Sequence, residues 1–441
     1  MAIRFSIDLR ATLRNLFPDG YIRQLARTTG ATKRLRNVDP VHLFWTLVLG
    51  FGVERERTLA DLRRRYIRAS GRSIEESSFY DRFSAGWVKL LKQAVAHALQ
   101  SSFGPGQALR GQLKHFRDVL ISDATVIRLH QMLQHTFPAC RTNHSQAAAK
   151  LHLVMNVSGN SKQSVKLTAE REHENRVLRI GPWVAGRLML FDLGYYDFNL
   201  FARIHHQGGF FLSRLKSNAN PTLTAVHRTY RGRALAGVGL SLTEALTRLQ
   251  GELIDGEVEL TYRKRRYNGQ RRSARLSVRL VGRCHHTTGE YHLYLTNIPP
   301  EQLPAEDVQA TYALRWQIEL LFKELKRHYR LEDMPSRKRD IVESLLYAAI
   351  LSLAASRRLL QVLRQALPAH ALRLKEHRFA ALLAVLADDL LTIVIHGGRL
   401  AKHLQQRLCN LLFVEAIDPN KGRPSLLRAI EDKTHPCSVG A

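Results

Sequence analysis

A chain of 441 residues exceeds one ordinary core and has room for about two to four domains, and its 45% hydrophobic and 24% charged residues exclude a disordered polymer. Its 67 Lys and Arg against 38 Asp and Glu leave a net charge of +29, spread along the chain rather than gathered in a tail. Such a field makes a polyanion the expected partner, nucleic acid first, with a ribosomal-type or otherwise merely basic protein as the competing reading.

The opening MAIRFSIDLRATLRNLF mixes charge into its apolar residues and contains no signal-peptide core. A helical period then runs to about residue 112, interrupted by turns such as Pro18-Asp19-Gly20. Within it, residues 58–70, the turn Gly71-Arg72-Ser73 and residues 75–95 read as helix, turn, helix. That arrangement either sets a helix in a DNA groove or simply builds a helical domain. From 116 to 216 short β-rich runs take over: FRDVLISDATVIRL, AKLHLVMNVSG, SVKLTAERE and RLMLFDLG, followed by a helix over 197–207 and a fifth strand over 210–217. These predict an α/β or mixed sheet. Strands return in another style over 217–296, where EVELTYRKRRY and RRSARLSVRLV flank Asn268-Gly269, the strongest short hairpin signal. Arg263, Lys264, Arg265, Arg266, Arg271, Arg272 and Arg275 crowd the tip, either to meet phosphates or to guard an exposed edge. GEYHLYLTN (289–297) is the last strand, one long helix covers 305–330, and helices resume after Met334-Pro335 to about 412.

Two apolar runs, 344–356 and 379–397, read as buried helices: the first is too short to span a bilayer and the second is split by Asp388-Asp389. Cys140, Cys284, Cys409 and Cys437 show no CxxC spacing, so neither a structural zinc nor a disulfide framework is expected, and a reducing cytosol fits. Cys284-His285-His286 is the nearest approach to a metal cluster and lacks a second ligand pair.

Three acidic residues stand out. Asp123 interrupts VLISDATVI and Asp192 closes RLMLFD, both where a strand should be apolar. Each alone fits a strand cap or a turn; together they favour a shared site at strand ends. The third lies on the long helix, where Tyr312, Arg315, Glu319 and Lys326 share a stripe about 60° wide, with Arg330 on its extension. Leu314, Ile318, Leu321 and Leu325 fall on the opposite side, so the helix is expected to pack through its leucines. An ordinary amphipathic helix with a solvated face would read the same way. Three carboxylates within about 4 Å of one another repel by roughly 4 kcal/mol per pair at a dielectric of about 20. Hard divalent cations relieve that repulsion, and a pair of them suits phosphodiester chemistry.

The spacing Tyr312-x2-Arg315-x3-Glu319-x6-Lys326, within YALRWQIELLFKELK, together with SDATVI and FDLGYYD, resembles the DDE transposases of bacterial insertion sequences, specifically the insertion-sequence-four group. The resemblance covers about 116–335 in order and spacing. It implies an α/β, ribonuclease H-like catalytic core (113–216 and 297–336) with a β-strand insertion (217–296). Helical regions flank these: an N-terminal DNA-binding domain (1–112) and a C-terminal region (337–441). It also implies that Asp123, Asp192 and Glu319 are catalytic and bind two Mg²⁺, with Mn²⁺ as a substitute. Tyr312, Arg315 and Lys326 would contact the phosphates of the transposon ends. The implied chemistry is cut-and-paste transposition: strand cleavage, a hairpin intermediate and strand transfer into target DNA. Tyr291 and Tyr294 are the nearest aromatics for holding a flipped base, since no Trp aligns there. Double-stranded DNA and a second copy of the chain are the expected partners, in a bacterial cytoplasm at the nucleoid. A structure-specific nuclease of the same fold and a catalytically silent, transposase-derived DNA-binding protein remain the alternatives.

Overall fold

The computed structural model describes residues 7–32, 38–50, 58–101, 108–140, 145–158, 164–227, 229–230, 233–234, 237–248, 252–263, 272–285, 287–366, 374–419 and 425–433. Six helices open it: α1 (Leu9–Leu16), α2 (Asp19–Thr28), α3 (Pro40–Val48), α4 (Leu59–Ser70), α5 (Glu76–Tyr80) and α6 (Ala85–Ser101). Their ends are written in the sequence. Asp8, Asp39 and Thr58 each accept a hydrogen bond from a first-turn amide, and Gly71, at φ 67°, closes α4 in the left-handed conformation. The single helix expected over 75–95 is two. The chain breaks at Asp81–Ser84, and the Ser84 hydroxyl accepts from the Trp87 amide at 3.3 Å, while Phe79 and Phe83 meet edge to face at 5.7 Å.

The central segment supplies β1 (Asp118–Leu129), β2 (Ala147–Asn156), β3 (Ser164–Ala169), α7 (Glu174–Val177), β4 (Arg187–Phe191), α8 (Phe198–His206) and β5 (Phe210–Arg214). Next come β6 (Leu223–Val226), β7 (Thr229–Tyr230), β8 (Arg233–Ala234), α9 (Leu242–Arg248), β9 (Leu253–Arg263), β10 (Ser273–Cys284) and β11 (Tyr291–Thr296). The sheet order is β3-β2-β1-β4-β5-β11-β10-β9-β6, and among the described residues β7 and β8 form a separate two-stranded pair. β1, β4 and β5 run parallel and every other neighbour in the large sheet is antiparallel. The long strands of 217–296 thus extend the central sheet. The expected hairpin is β9–β10; its turn, with Asn268, Gly269, Lys264, Arg265, Arg266 and Arg271, lies outside the described residues.

Both faces of the middle strands are covered, which is why they read as nearly unbroken apolar runs. Val119, Ile121, Leu188, Leu190 and Leu212 join the larger core with the long helices. Leu120, Met189, Phe191 and Phe211 point to the other face, where Phe201 of α8 stacks on Phe211 at 4.4 Å.

The remaining helices are α10 (Ala305–Ala313), α11 (Trp316–His328), α12 (Arg339–Gln365), α13 (Glu376–Val385), α14 (Ala387–Ile395), α15 (Arg399–Glu415) and α16 (Leu426–Glu431). The expected single helix over 305–330 is therefore two. Around Leu314–Arg315 the amides of Leu314, Arg315, Gln317 and Ile318 each bond the carbonyl three residues back, at 3.0–3.2 Å, instead of four. Each such step turns about 120° rather than 100°, so residues on either side of the junction are rotated relative to a uniform helix. No Pro or Gly announces this break; Leu314 is fully buried there. The two helical ends of the chain meet on α12, whose faces pack against α1, α3, α6 and α13. α12 is long and apolar enough to cross a bilayer by composition, yet most of it is buried, in keeping with the expectation for 344–356. Asp388, at the split in the second apolar run, lies in the first turn of α14 and pairs with Arg65 and Arg68 of α4.

Candidate active site

Asp123 lies inside β1 and Asp192 immediately after β4. The parallel register pairs Ser122 with Phe191, so one residue further on Asp123 stands beside Asp192, a strand spacing of about 4.8 Å away. Alternation places both side chains on the face of Ile121 and Leu190, beneath α11. The Asp123 Oδ1 accepts from the next amide, Ala124, at 2.7 Å. Asp192 has no side-chain partner among the described residues, although its carbonyl closes the short turn Leu193–Tyr195. Behind the pair, on the opposite face, Ser122 and Tyr195 are both buried.

Glu319 comes from the first turn of α11, a position where the helix dipole favours a carboxylate. It is not free: Arg315 donates to its Oε1 at 2.6 Å. The three carboxylates nevertheless share one electrostatic site. Burial pushes the Asp123 carboxyl up to about 6, and the charges of Asp192 and Glu319 add to that rise against the Ala124 amide and Arg315. Burial opposes the charge of Arg315, but Tyr312, Asp192 and Glu319 outweigh it and raise the guanidinium's pKa. Among the described residues no three His, Cys, Asp or Glu side chains are drawn together closely enough to chelate an ion; that holds for the acidic trio and for Cys284 with His285. His286 lies outside the described residues.

The rest of the expected stripe is distributed differently from an exposed polar face. Tyr312 is only 7% exposed; its hydroxyl donates to the carbonyl of Phe191 at 3.2 Å, one residue before Asp192. Arg315 lies over its ring at 5.7 Å. The Tyr–Arg pair thus fixes where α11 enters the site. Lys326, two turns beyond Glu319, is paired with Glu332 at 2.7 Å. Arg330 is past the helix end in the left-handed conformation, φ 52°, and pairs with Asp333 at 2.9 Å. The leucine side packs as expected for Leu314, Ile318 and Leu325, whereas Leu321 is half-buried. Tyr294 packs against Tyr312, ring centres 5.3 Å apart, and burial pushes its hydroxyl up to about 12; Tyr291 is half-buried.

Sequence reasoning missed Arg214 at the end of β5, which the register sets beside Asp192 on one side and Tyr294 on the other. An arginine closing a strand carries no signal until the neighbouring strands are known.

Carboxylates on adjacent parallel strands, a third on a crossing helix and a cationic surround define a class, and the family model for the transposase DDE domain matches residues 114–354: the chain belongs to that family. Its relatives are insertion-sequence transposases, as the resemblance implied. The transposase for insertion sequence element IS231F of Bacillus thuringiensis subsp. israelensis is 22% identical over 361 residues, 76% of either chain. That for IS231D of Bacillus thuringiensis subsp. finitimus is 21% identical over 361 residues, 75% of either chain. The transposase for IS1151 of Clostridium perfringens is 22% identical over 329 residues, 68% of this chain and 69% of the relative.

Proposed function

We propose that the protein cuts DNA at the ends of an insertion sequence and joins the freed ends to target DNA, with Asp123, Asp192 and Glu319 as the catalytic carboxylates. The observation that carries this reading is the register that sets Asp123 beside Asp192 on the face crossed by Glu319's helix. The order β3-β2-β1-β4-β5, antiparallel then parallel, supports a ribonuclease H-like core, with 217–296 as its β-strand insertion. In this reading residues 1–112 bind the ends, an assignment supported by Lys89 and Lys92 on the exposed face of α6.

The donor set suits Mg²⁺ or Mn²⁺: three hard carboxylates, of which Asp192 has no partner among the described residues. Asp123, Asp192 and Glu319 would hold two ions, and Glu319 has to release Arg315 to join them. When bound, the ions supply the positive charge that favours the attacking oxygen and the departing one. The chain's own contribution is placement. Tyr312 ties α11 to the carbonyl before Asp192, and Arg315, once released, is left beside the site to face a phosphate. Lys326 likewise exchanges Glu332 for the DNA backbone. In cleavage, water's oxygen bonds to phosphorus, its proton leaves to solvent, and the 3′ oxygen departs as a hydroxyl. In joining, that 3′ hydroxyl bonds to a target phosphorus and displaces another 3′ oxygen. A hairpin step through the opposite strand and a homodimeric synaptic complex belong to the same reading.

The test is Glu319→Gln on duplexes taken from the DNA that flanks the reading frame, scanned for an inverted repeat that the wild-type chain binds and cuts. Cleavage in Mg²⁺ is expected to be lost with end binding retained; a variant that cuts at the normal rate overturns the assignment. Strand-transfer product from pre-cut ends separates a transposase from a nuclease of the same fold.

A further inference from the structure

Of the three carboxylates, Asp123 accepts from the Ala124 amide and Glu319 from Arg315, whereas the Asp192 side chain has no partner among the described residues. Its backbone is held from behind instead. The Asp192 carbonyl accepts from the Tyr195 amide at 3.0 Å, and the buried Tyr195 ring lies against Phe191, centres 5.6 Å apart. α7 packs on this turn, and two polar struts fix α7. The first comes from Lys150 of β2, whose ammonium donates to the Glu174 carboxylate at 2.8 Å and lies 3.4 Å from the Glu172 carbonyl. In the second, Asn175 donates to Asp197 at 3.2 Å, and Asp197 caps α8 by accepting from the Asn199 amide at 2.7 Å. Lys150 stands opposite Val126 of β1 on the face away from the carboxylates: its neighbours Ala149 and Leu151 join the larger core, and Val154, four residues on, joins the other. Burial raises the pKa of the Tyr195 hydroxyl, and the charges of Asp123 and Glu174 add to that rise, one from each face of the sheet.

We infer that Lys150 and Glu174 are positioning residues for Asp192: from the reverse face of the sheet they brace the turn that carries it, and so set its distance from Asp123 for metal binding. The inference rests on the transposase reading. A lysine only 8% exposed on a sheet face is costly to keep there, and a buried ion pair often adds little net stability because desolvation offsets the attraction. What such a pair supplies here is geometry. It joins β2, the strand beside Asp123, to the helix that packs on the Asp192 turn, across the one carboxylate whose side chain is otherwise unheld among the described residues. A ligand braced in this way loses less freedom when it takes up an ion.

Lys150→Met, Lys150→Arg, Asn175→Ala and the neutral pair Lys150→Met with Glu174→Gln are compared with the wild type on the flanking duplex that it binds and cuts. Metal occupancy is read directly, as the Mn²⁺ held by each protein–duplex complex in its electron paramagnetic resonance spectrum, with the Asp192→Asn complex as the blank. For Lys150→Met, Mn²⁺ affinity is expected to fall about tenfold, the scale for losing a residue that orients a metal ligand. The Mg²⁺ needed for half-maximal cleavage should rise in step, while affinity for the duplex in EDTA stays at the wild-type value. Lys150→Arg keeps the charge and is expected to recover most of the loss. Asn175→Ala loosens the other strut without stranding a charge and should weaken Mn²⁺ in the same direction. The neutral pair also strands no charge, so its melting temperature should return to the wild-type value, yet its Mn²⁺ affinity should stay low. Mn²⁺ affinity that recovers together with the melting temperature, or that stays at the wild-type value in both Lys150→Met and Asn175→Ala, overturns the inference and leaves the transposase reading intact. A wild-type chain that cuts no flanking duplex in Mg²⁺, or whose complex holds no more Mn²⁺ than the Asp192→Asn blank, overturns both.

Discussion

His152 sits on β2 opposite Ala124, next to the strand position of Asp123, and its Nε2 lies 2.9 Å from the Thr168 hydroxyl. Burial first and the charge of Lys150 second lower its pKa from 6.5 to about 4, with Glu174 opposing. The folded protein therefore keeps this imidazole neutral where the unfolded chain would protonate it. That contribution to stability is whole above about pH 6.5 and is lost as pH falls toward 4. Asp123 works in the opposite sense: with its carboxyl raised from 3.8 to about 6, the folded state takes up the proton first and gains stability as pH falls through that window. Because the two overlap, a variant has to isolate one of them. His152→Gln should flatten the fall in melting temperature between pH 6.5 and 4 relative to wild type. Parallel curves for the two proteins would refute the assignment. At this scale the acidic trio was legible because a carboxylate in an apolar strand costs free energy and so stands out. Arg214 was not, since a strand-end arginine is inexpensive wherever it falls.

Between elements, the geometry of the site depends on how the sheet meets α10. Arg279 of β10 makes a two-pronged bond to Asp255 of β9, both at 2.7 Å, and its third nitrogen donates to the carbonyls of Ile298 and Leu303. This buried fork ties the β9–β10 pair to the loop that leads into α10, and so to Tyr312. Arg279→Ala leaves Asp255 charged, buried and unpaired, which should cost about 3–5 kcal/mol, read from the urea midpoint. Replacing both, as Arg279→Met with Asp255→Leu, should recover most of the loss; a double variant as weak as the single would show that the pair is more than a satisfied charge. The strands, the β9–β10 hairpin and α8 were legible from apolar runs and turn residues. The breaks at Asp81–Ser84 and Leu314–Arg315 were not, because neither contains Pro or Gly and both follow from what the flanking side chains bury.

Across the molecule, α12 is the member on which the two helical ends converge. Leu9, Leu13, Trp45 and Leu91 from the first hundred residues share a core with Leu345, Leu346, Leu351 and Leu359. The Ser352 hydroxyl donates to the Val48 carbonyl, and Arg65 reaches Asp388 from α4. Residues 1–112 alone would expose that apolar surface, so the isolated fragment should unfold without a cooperative transition by circular dichroism. A sharp transition near the full-length melting temperature would contradict this. The sequence by itself determined the family, the α/β character and the basic field, and it singled out the three candidate carboxylates, all of which depend on residue type and spacing. Tertiary structure alone decided that the long strands of 217–296 continue the central sheet, that Tyr312 is buried against the end of β4, and that Arg315 and Lys326 are held by glutamates. It also decided that Arg214 stands beside Asp192. Those outcomes turn on register and on which face a side chain leaves, and one residue's slip in pairing would reverse them without changing any local signal.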